Sequence, residues 1–270
     1  METERRGIKI VSKILMLKTK FGVYSTTAIY LIIILGISYI RGELSGLNAA
    51  YSRMYEAMRT TGELFMPAIP RITPAAGALC LLLTLMQVII NAGYNIMCLN
   101  ISRAQKTDFK TLFSGFDFPI KVLLIALLQT ICVSVGLVLF IFPGIVMLYS
   151  FRMAYFVLAD NPEYSALRCL SESRRIMKYN RIKIFFLDVS FIGWTIISNL
   201  ISLFFIPIVD VWLLPYRGVS LAVYYNTFLD NEFAIKMLPV EGEKGTTLFW
   251  KDARGGENED KTHDDEGEDK

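Results

Sequence analysis

The chain has 270 residues, a formal net charge of +3, 53% hydrophobic residues and a mean hydropathy of +0.43. Its uncharged apolar runs are longer than a water-soluble core requires, so the sequence predicts a membrane protein. A single histidine and four cysteines without a CxxC pair exclude most histidine-based catalysis, nearly every zinc site and a disulfide framework.

The N-terminal part begins with the basic segment 1–20, and the uncharged run 21–40 after it predicts a first membrane span. The order resembles that of a signal peptide, but the apolar core is too long and further spans follow, so we interpret the run as an uncleaved span. In the loop 41–74, apolar residues at helical spacing predict a short helix on the outer membrane surface or over the bundle. These residues are Leu47, Ala50, Tyr51, Met54, Tyr55 and Met58.

The second predicted span, 75–100, carries a stripe of polar residues at helical spacing. The stripe consists of Thr84, Gln87, Asn91 and Asn95. The fifth predicted span, 184–205, carries a similar stripe. It consists of Thr195, Ser198, Asn199 and Ser202. Polar groups must be satisfied without water inside a bilayer, so each stripe either lines a substrate cavity or forms hydrogen bonds between helices.

The uncharged run 122–151 would exceed the roughly 30 Å hydrocarbon core if it formed one straight helix. Pro143 lacks the amide hydrogen that continues a helix, and Gly144 accepts the dihedral angles of a tight turn. The sequence therefore predicts a helical hairpin with its tip at this dipeptide and with arms 122–142 and 145–159. The second arm is short for a full crossing, so a tilted or re-entrant segment is an alternative.

A second proline, Pro207, stands at a similar position in "FFIPIVDVWLLPY", before the last predicted span. Aligning it with Pro143 places Arg152 and Arg217 at nearly equal offsets. This match indicates either an internal repeat of two hairpins, as in many transporters, or a coincidence.

Two arginines fall inside the predicted spans, where an arginine near the bilayer centre costs roughly 2.5–3.5 kcal/mol. Asp188 enters the fifth span at a depth comparable with that of Arg152, so we predict an Arg152–Asp188 pair inside the bundle. Asp210 lies at the opposite turn and is less well placed. The pair is either structural or substrate-binding. The complete set of candidate intramembrane polar and cavity residues is Gln87, Asn91, Asn95, Arg152, Asp188, Asn199 and Arg217.

The segment 160–183 predicts an amphipathic helix at the cytoplasmic interface. Asn161 is a suitable N-cap and Pro162 suits the first helical position. Basic residues, Arg168 and Arg175, share one face, which predicts binding to anionic lipid headgroups. The opposite face carries Ala166, Leu170, Ser173 and Met177.

We predict an all-α, polytopic bundle of about six transmembrane segments. They are 21–40, 75–100, 122–142, 145–160, 184–205 and 210–229. Lysine and arginine concentrate in 1–20, 103–121 and 160–183, so both termini are predicted to be cytoplasmic and 41–74 external. The membrane domain is predicted to span 21–238. The acidic tail 239–270, poor in apolar residues, is predicted to be disordered.

No catalytic or cofactor-binding motif is present in the sequence: there is no HExxH, no GxSxG and no phosphate-cradling loop. We therefore expect a protein that is not an enzyme, that uses no cofactor and that does not bind nucleic acid.

The region 75–230 resembles the bacterial integral-membrane family known as domain of unknown function 975. The signs of the resemblance are Pro143-Gly144, Ala159-Asp160 with Pro162, Ser173 with Met177, Phe191-Ile192-Gly193-Trp194, Pro215-Tyr216 and Tyr224-Tyr225. Family members usually have a glycine near Tyr179, and the pattern does not include Arg152 or Arg217. The resemblance implies a membrane fold in the bacterial cytoplasmic membrane and no particular activity.

Two functions are compatible with these features. The polar stripes, the broken spans and the proposed repeat favour transport or permease-like handling of a small solute, peptide or lipid. The basic helix and the acidic tail favour the alternative, a non-transporting adaptor or regulator of another envelope protein. A bundle this small is expected to need a second copy or a partner membrane protein to enclose a path.

Overall fold

A computed structural model describes residues 2–19, 21–62, 71–105, 107–202 and 208–229, and this part of the chain is helical without a strand. The helices are α1 Glu2–Lys18, α2 Phe21–Leu44, α3 Leu47–Thr61, α4 Pro74–Ser102, α5 Pro119–Leu139, α6 Ile141–Ser150, α7 Ala154–Asp160, α8 Ala166–Met177, α9 Arg181–Ser202 and α10 Ile208–Leu229. A 3-10 helix, Phe109–Asp117, lies between α4 and α5. The predicted all-α class is confirmed.

Five helical segments in the described residues are long and apolar enough to cross a membrane. They are Gly22–Leu44, Pro74–Ser102, Pro119–Leu139, Ile141–Asp160 and Arg181–Ile201. They correspond to the first five predicted spans. The sixth predicted span, 210–229, is helical as α10 but is less apolar than these, so the count of six is not confirmed.

The lower hydropathy of α10 is explained by its position among the other helices. Its residues 219–225 are all buried, and the helix packs against α1, α2, α4 and α9. A helix surrounded by other helices contacts little solvent or lipid, so it accommodates Asp210, Pro215 and Arg217 more readily than an outer helix does.

Several helices end at the same end of the bundle. Arg103, directly after α4, contacts Asp160 at the end of α7 and Asn226 near the end of α10. Lys121, near the start of α5, donates to the carbonyl oxygen of Pro162. Positive charge in the neighbouring segments is the reason to expect this end in the cytoplasm.

The basic N-terminal segment 1–20 contains α1. From the sequence, this segment was interpreted only as a basic region before the first span. An apolar face of α1 packs against α10 and α4. The buried residues of this face are Ile8, Val11, Leu15 and Met16. The ammonium group of Lys9 lies 4.3 Å from the centre of the Phe191 ring. Burial and the nearby charge of Arg5 lower the pKa of Lys9.

The predicted hairpin is present, but its tip lies at Phe140 rather than at Pro143-Gly144. Phe140 has extended backbone (φ −159°, ψ 146°) between α5 and α6. Pro143 lies in the first turn of α6, where a missing N–H costs nothing. Gly144 serves close packing of the two arms: a Cβ on Gly136 would lie 2.9 Å from the Gly144 Cα. The dipeptide is therefore a contact point next to the turn.

The predicted helix in the loop 41–74 is confirmed as α3, which buries none of its residues. The loop 103–121 contains the 3-10 helix, which packs against the middle of α4. A Cβ on Gly93 would lie 1.9 Å from the carbonyl oxygen of Leu112, and one on Gly115 would lie 2.2 Å from that of Ile89. Only glycine allows this close approach.

The amphipathic helix after α7 begins later than predicted. Ser165 is its N-cap and accepts a hydrogen bond from the Arg168 amide, whereas Asn161 ends α7. Pro162 lies in the connecting turn. The predicted apolar face is confirmed, and it packs against α5, α6 and α7. Its buried residues are Ala166, Cys169, Leu170, Ser173 and Met177.

Three predictions lie outside the described residues. They concern the turn at Pro207, the side chain of Ser202 and the acidic tail 239–270.

Candidate functional site: a polar cavity with two arginines

A cavity of about 350 Å3 lies between five parts of the bundle, and it contains four of the seven candidate site residues. A second cavity, of about 390 Å3, adjoins it and shares Asn91, Gln129 and Tyr155. The first cavity is lined by Tyr30 from α2, Asn91, Tyr94 and Asn95 from α4, Gln129 from α5, Phe151, Arg152 and Tyr155 from the α6–α7 region, and Leu214, Arg217, Gly218 and Leu221 from α10. Volumes of this size suit a small-molecule ligand.

Arg152 reaches the cavity because the helix that carries it is interrupted. α6 ends at Ser150 and α7 begins at Ala154, so Arg152 lies in a short turn and not within a continuous helix. Ser173 of α8 holds this turn from both sides. Its hydroxyl donates to the Ser150 carbonyl (2.9 Å) and accepts from the Met153 amide (3.2 Å). A buried serine thereby satisfies backbone groups that the interruption leaves open.

The predicted pair between Arg152 and Asp188 is present. The Arg152 Nη2 atom lies 3.4 Å from the Asp188 Oδ1 atom. Arg217 joins the same oxygen, with its Nε atom at 3.2 Å. The hydroxyl of Tyr149 donates to the other carboxylate oxygen, Oδ2, at 3.2 Å. We call Tyr149, Arg152, Asp188 and Arg217 the cavity cluster.

Within the cavity cluster, Arg152 and Arg217 line the cavity, whereas Tyr149 and Asp188 are not among the residues that line it. The Asp188 side chain is 13% exposed, compared with 25% for Arg152 and 36% for Arg217. The carboxylate is therefore the least exposed of the three charged groups. Asp210 does not take part: it accepts a hydrogen bond from Ser198.

The polar stripe of α4 divides into two halves with different roles. Asn91 accepts a hydrogen bond from the Tyr30 hydroxyl (2.7 Å), and Asn95 donates to the Asn91 carbonyl (2.8 Å). Both asparagines line the cavity. Gln87 and Thr84 instead accept hydrogen bonds from Arg41 of α2, at 3.2 and 3.4 Å. Thr84 and Gln87 therefore join α4 to α2, and only Asn91 and Asn95 line the cavity.

The stripe of α9 does not reach the cavity. Thr195 bonds its own helix through the Phe191 carbonyl, and Ser198 is buried against Asp210. Asn199 is exposed on the outer face of the helix and lines neither cavity. Neighbouring positions on a helix point about 100° apart, so Ser198 and Asn199 cannot serve the same surface.

A second polar cluster, which sequence reasoning missed, joins α4, α7 and α10 at one end of the bundle. Arg103 binds both carboxylate oxygens of Asp160, at 2.6 and 2.8 Å, and also contacts the side-chain oxygen of Asn226. Tyr225 donates to Asp160 (3.0 Å), and Asn226 donates to Ser102 (2.8 Å). We call these five residues the end cluster. The charge of Asp160 directly after an apolar run was the available sequence signal.

The five apolar helices and the cavity define the class: a helical membrane protein with a cavity that polar side chains help to line. Residues 137–232 match the model of the family described as "Protein of unknown function (DUF975)". This confirms the resemblance for the C-terminal part of the region 75–230, and the match includes the whole cavity cluster. No curated protein and no solved structure matches the chain.

Proposed function

We propose that the protein moves a small solute, peptide or lipid across or within the membrane and binds it in the cavity between α2, α4, α5 and α10. One observation carries this proposal: three separate parts of the chain bring polar side chains to a common cavity, which is lined by Asn91, Asn95, Arg152 and Arg217. Polar groups are costly in a bilayer and are retained mainly where they bond one another or line a water-filled path.

The break between α6 and α7 supports the same function. Interrupted helices are tolerated at membrane depth where the backbone is buried in protein or lines a cavity, and many transporters build their substrate sites from such helices. Here the break at Arg152 lies next to the cavity, and Ser173 satisfies its backbone. The site thus combines polar side chains in its lining with a segment that is not a continuous helix.

Cysteine accessibility tests the proposal. In a variant without the native cysteines, we expect Asn91→Cys and Asn95→Cys to react with a membrane-impermeant thiol reagent, because the cavity of a transport protein must admit water. Ile131→Cys is the matched control: Ile131 is 51% exposed on the outer face of α5, whereas Gln129 of the same helix lines the cavity. Protection of positions 91 and 95 from reagent on either side would contradict a pathway.

The alternative function, an adaptor or regulator of another envelope protein, is favoured by the outer face of α8. Arg168, Arg174 and Arg175 are exposed there, opposite the face that packs on the bundle. This basic face suits anionic lipid headgroups or an acidic protein segment. Replacing the three arginines with glutamine should abolish an adaptor's function and leave labelling of Asn95→Cys unchanged.

We further propose that the protein lies in the bacterial cytoplasmic membrane with both termini in the cytoplasm. The excess of lysine and arginine near the Arg103 end of the bundle supports this orientation. Reporter fusions after residues 60 and 235 test it: we expect an external signal from the first and an internal signal from the second. An internal signal at residue 60 would reverse the orientation.

A further inference from the structure

The cavity cluster contains more positive charge than its described partners balance. Arg152 and Arg217 are both cationic side chains, and both donate to the same Oδ1 atom of Asp188. Tyr149 contributes a neutral hydroxyl. Within the described residues, no second carboxylate forms an ion pair with either arginine. The cluster therefore has one formal positive charge in excess.

The two residues that carry the excess charge line the cavity. Each guanidinium group uses one nitrogen to contact Asp188, at 3.4 Å for Arg152 and 3.2 Å for Arg217. The other N–H groups of both arginines make no hydrogen bond to any residue in the described part of the chain. These donors are therefore available to a ligand in the cavity. A guanidinium group matches the paired oxygens of a carboxylate or phosphate.

Neutral polar groups without described partners surround the same space. The side-chain amide of Gln129, the hydroxyl of Tyr155 and the amide nitrogen of Asn91 form no hydrogen bond with other described residues, and all three residues line the cavity. All three residues are partly exposed, so these polar groups are accessible to water or to a ligand.

We propose that the cavity binds its ligand through an anionic oxygen group, a phosphate or a carboxylate, that contacts Arg152 and Arg217. The inference rests on the proposed function, because it names the chemical class handled at the same site. The anion balances the charge that Asp188 leaves unmatched. Gln129, Tyr155 and Asn91 contact the remainder of the ligand. A soluble anion and the headgroup of an anionic lipid share this chemistry.

The test uses the purified full chain in two settings, each with a named probe. In zwitterionic detergent, the thermal unfolding midpoint is measured against inorganic phosphate, with chloride as the replacement at constant ionic strength. In nanodiscs, it is measured in phosphatidylglycerol and in phosphatidylcholine. A ligand that binds only the folded state raises the midpoint, because it stabilises that state by RT ln(1 + L/Kd), where L is the free ligand concentration. A response to phosphate identifies a soluble anion, and a response confined to phosphatidylglycerol identifies a lipid headgroup.

Arg217→Gln is the decisive variant, because it removes one arginine and leaves Arg152 paired with Asp188. We call the probe that raises the midpoint of the wild type the active probe. We expect the apparent affinity of Arg217→Gln for it to be at least about tenfold weaker, since a charge-assisted hydrogen bond is lost. Arg41→Gln is the matched control: Arg41 lies on α2 against Gln87 and Thr84, outside the cavity lining. It should respond like the wild type.

A second readout covers the case in which Arg217→Gln does not fold. In the wild-type arginine background, the active probe should slow labelling of Asn95→Cys and leave labelling of an exposed residue of α3, Tyr55→Cys, unchanged. The inference is overturned if neither probe raises the midpoint, if Arg217→Gln responds as fully as the wild type, or if no probe protects Asn95→Cys. If Asn91→Cys and Asn95→Cys are labelled but no anion has an effect, only the ligand class is overturned. If neither cysteine is labelled even without a probe, the proposed function itself is overturned.

Discussion

The end cluster and the cavity cluster are built from the same chemical groups, arginine, aspartate and tyrosine, but differ in how completely the charges are matched. In the end cluster, one arginine binds both oxygens of one aspartate at 2.6 and 2.8 Å. In the cavity cluster, two arginines share a single oxygen of one aspartate at 3.2 and 3.4 Å. The first arrangement is neutral and bidentate; the second has an excess positive charge beside a cavity.

This difference separates a structural role from a binding role. Arg103, directly after α4, contacts partners on two other helices, because Asp160 belongs to α7 and Asn226 to α10. A matched, bidentate pair of this kind fixes helices relative to one another. Arg152 and Arg217 each contact Asp188 through one nitrogen, and both residues line the cavity. An incompletely matched cluster leaves binding capacity for a ligand.

The largest loss of stability is expected from a substitution of Asp188. Asp188→Asn leaves both cavity arginines without a countercharge, and breaking a buried pair in this way should destabilise the protein by about 3 kcal/mol. Unfolding in detergent, followed by tryptophan fluorescence, measures the loss. The double variant Asp188→Asn/Arg217→Gln restores the wild-type formal charge of the cluster and should recover part of it. An unchanged unfolding midpoint in Asp188→Asn would mean that water already screens the cluster.

A smaller effect is expected at Asp160 in the end cluster. Asp160→Asn keeps one acceptor oxygen but removes the charge that Arg103 binds, which should cost about 2 kcal/mol, as for hydrogen bonds to charged groups. Glu172→Gln is the control, because Glu172 pairs with Arg175, whose side chain is 76% exposed. Exposed pairs contribute roughly 0–1 kcal/mol, so this variant should unfold almost like the wild type. Equal losses of stability in the two variants would contradict a structural role for the end cluster.

Ser173 tests how the cavity arginine is positioned. Ser173→Ala removes the hydroxyl that bonds Ser150 and Met153, and we expect a loss of about 1–2 kcal/mol, because a buried amide and carbonyl are left without partners. Hydrogen exchange should accelerate at the Met153 amide. Ser171→Ala, at an exposed position of the same helix, should change neither quantity. Unchanged exchange at Met153 would show that the break does not depend on α8.

Much of the fold follows from hydropathy and charge, because long apolar runs have few alternatives in a bilayer. The five spans and the Arg152–Asp188 pair were predictable on this basis, since depth along a helix can be counted from its ends. The rotation of a helix about its axis is not fixed by such counting. Gln87 and Asn199 were therefore candidates for the cavity together with Asn91, with hydrogen bonds between helices as the alternative. Gln87 bonds Arg41 of α2, and Asn199 is exposed.

Other features depend on contacts between segments distant in sequence. The end cluster needs Arg103, Asp160 and Asn226 to meet, and no local pattern specifies that meeting. The break at Arg152 depends on Ser173, twenty-one residues further along the chain, which the sequence indicated only as part of a helical face. The helix α1 was predictable from the spacing of Ile8, Val11 and Leu15, but its charge concealed the pattern.

The central claim is that the charges of the end cluster are matched and those of the cavity cluster are not. Removing one arginine from each cluster tests this claim most directly. The measurement is the unfolding midpoint of Arg103→Gln and of Arg217→Gln in the same detergent without phosphate. We expect Arg103→Gln to lose about 2–3 kcal/mol, because Asp160 is left without its partner. We expect Arg217→Gln to stay within about 0.5 kcal/mol of the wild type, because Arg152 still pairs with Asp188. A loss in Arg217→Gln as large as that in Arg103→Gln would contradict the claim.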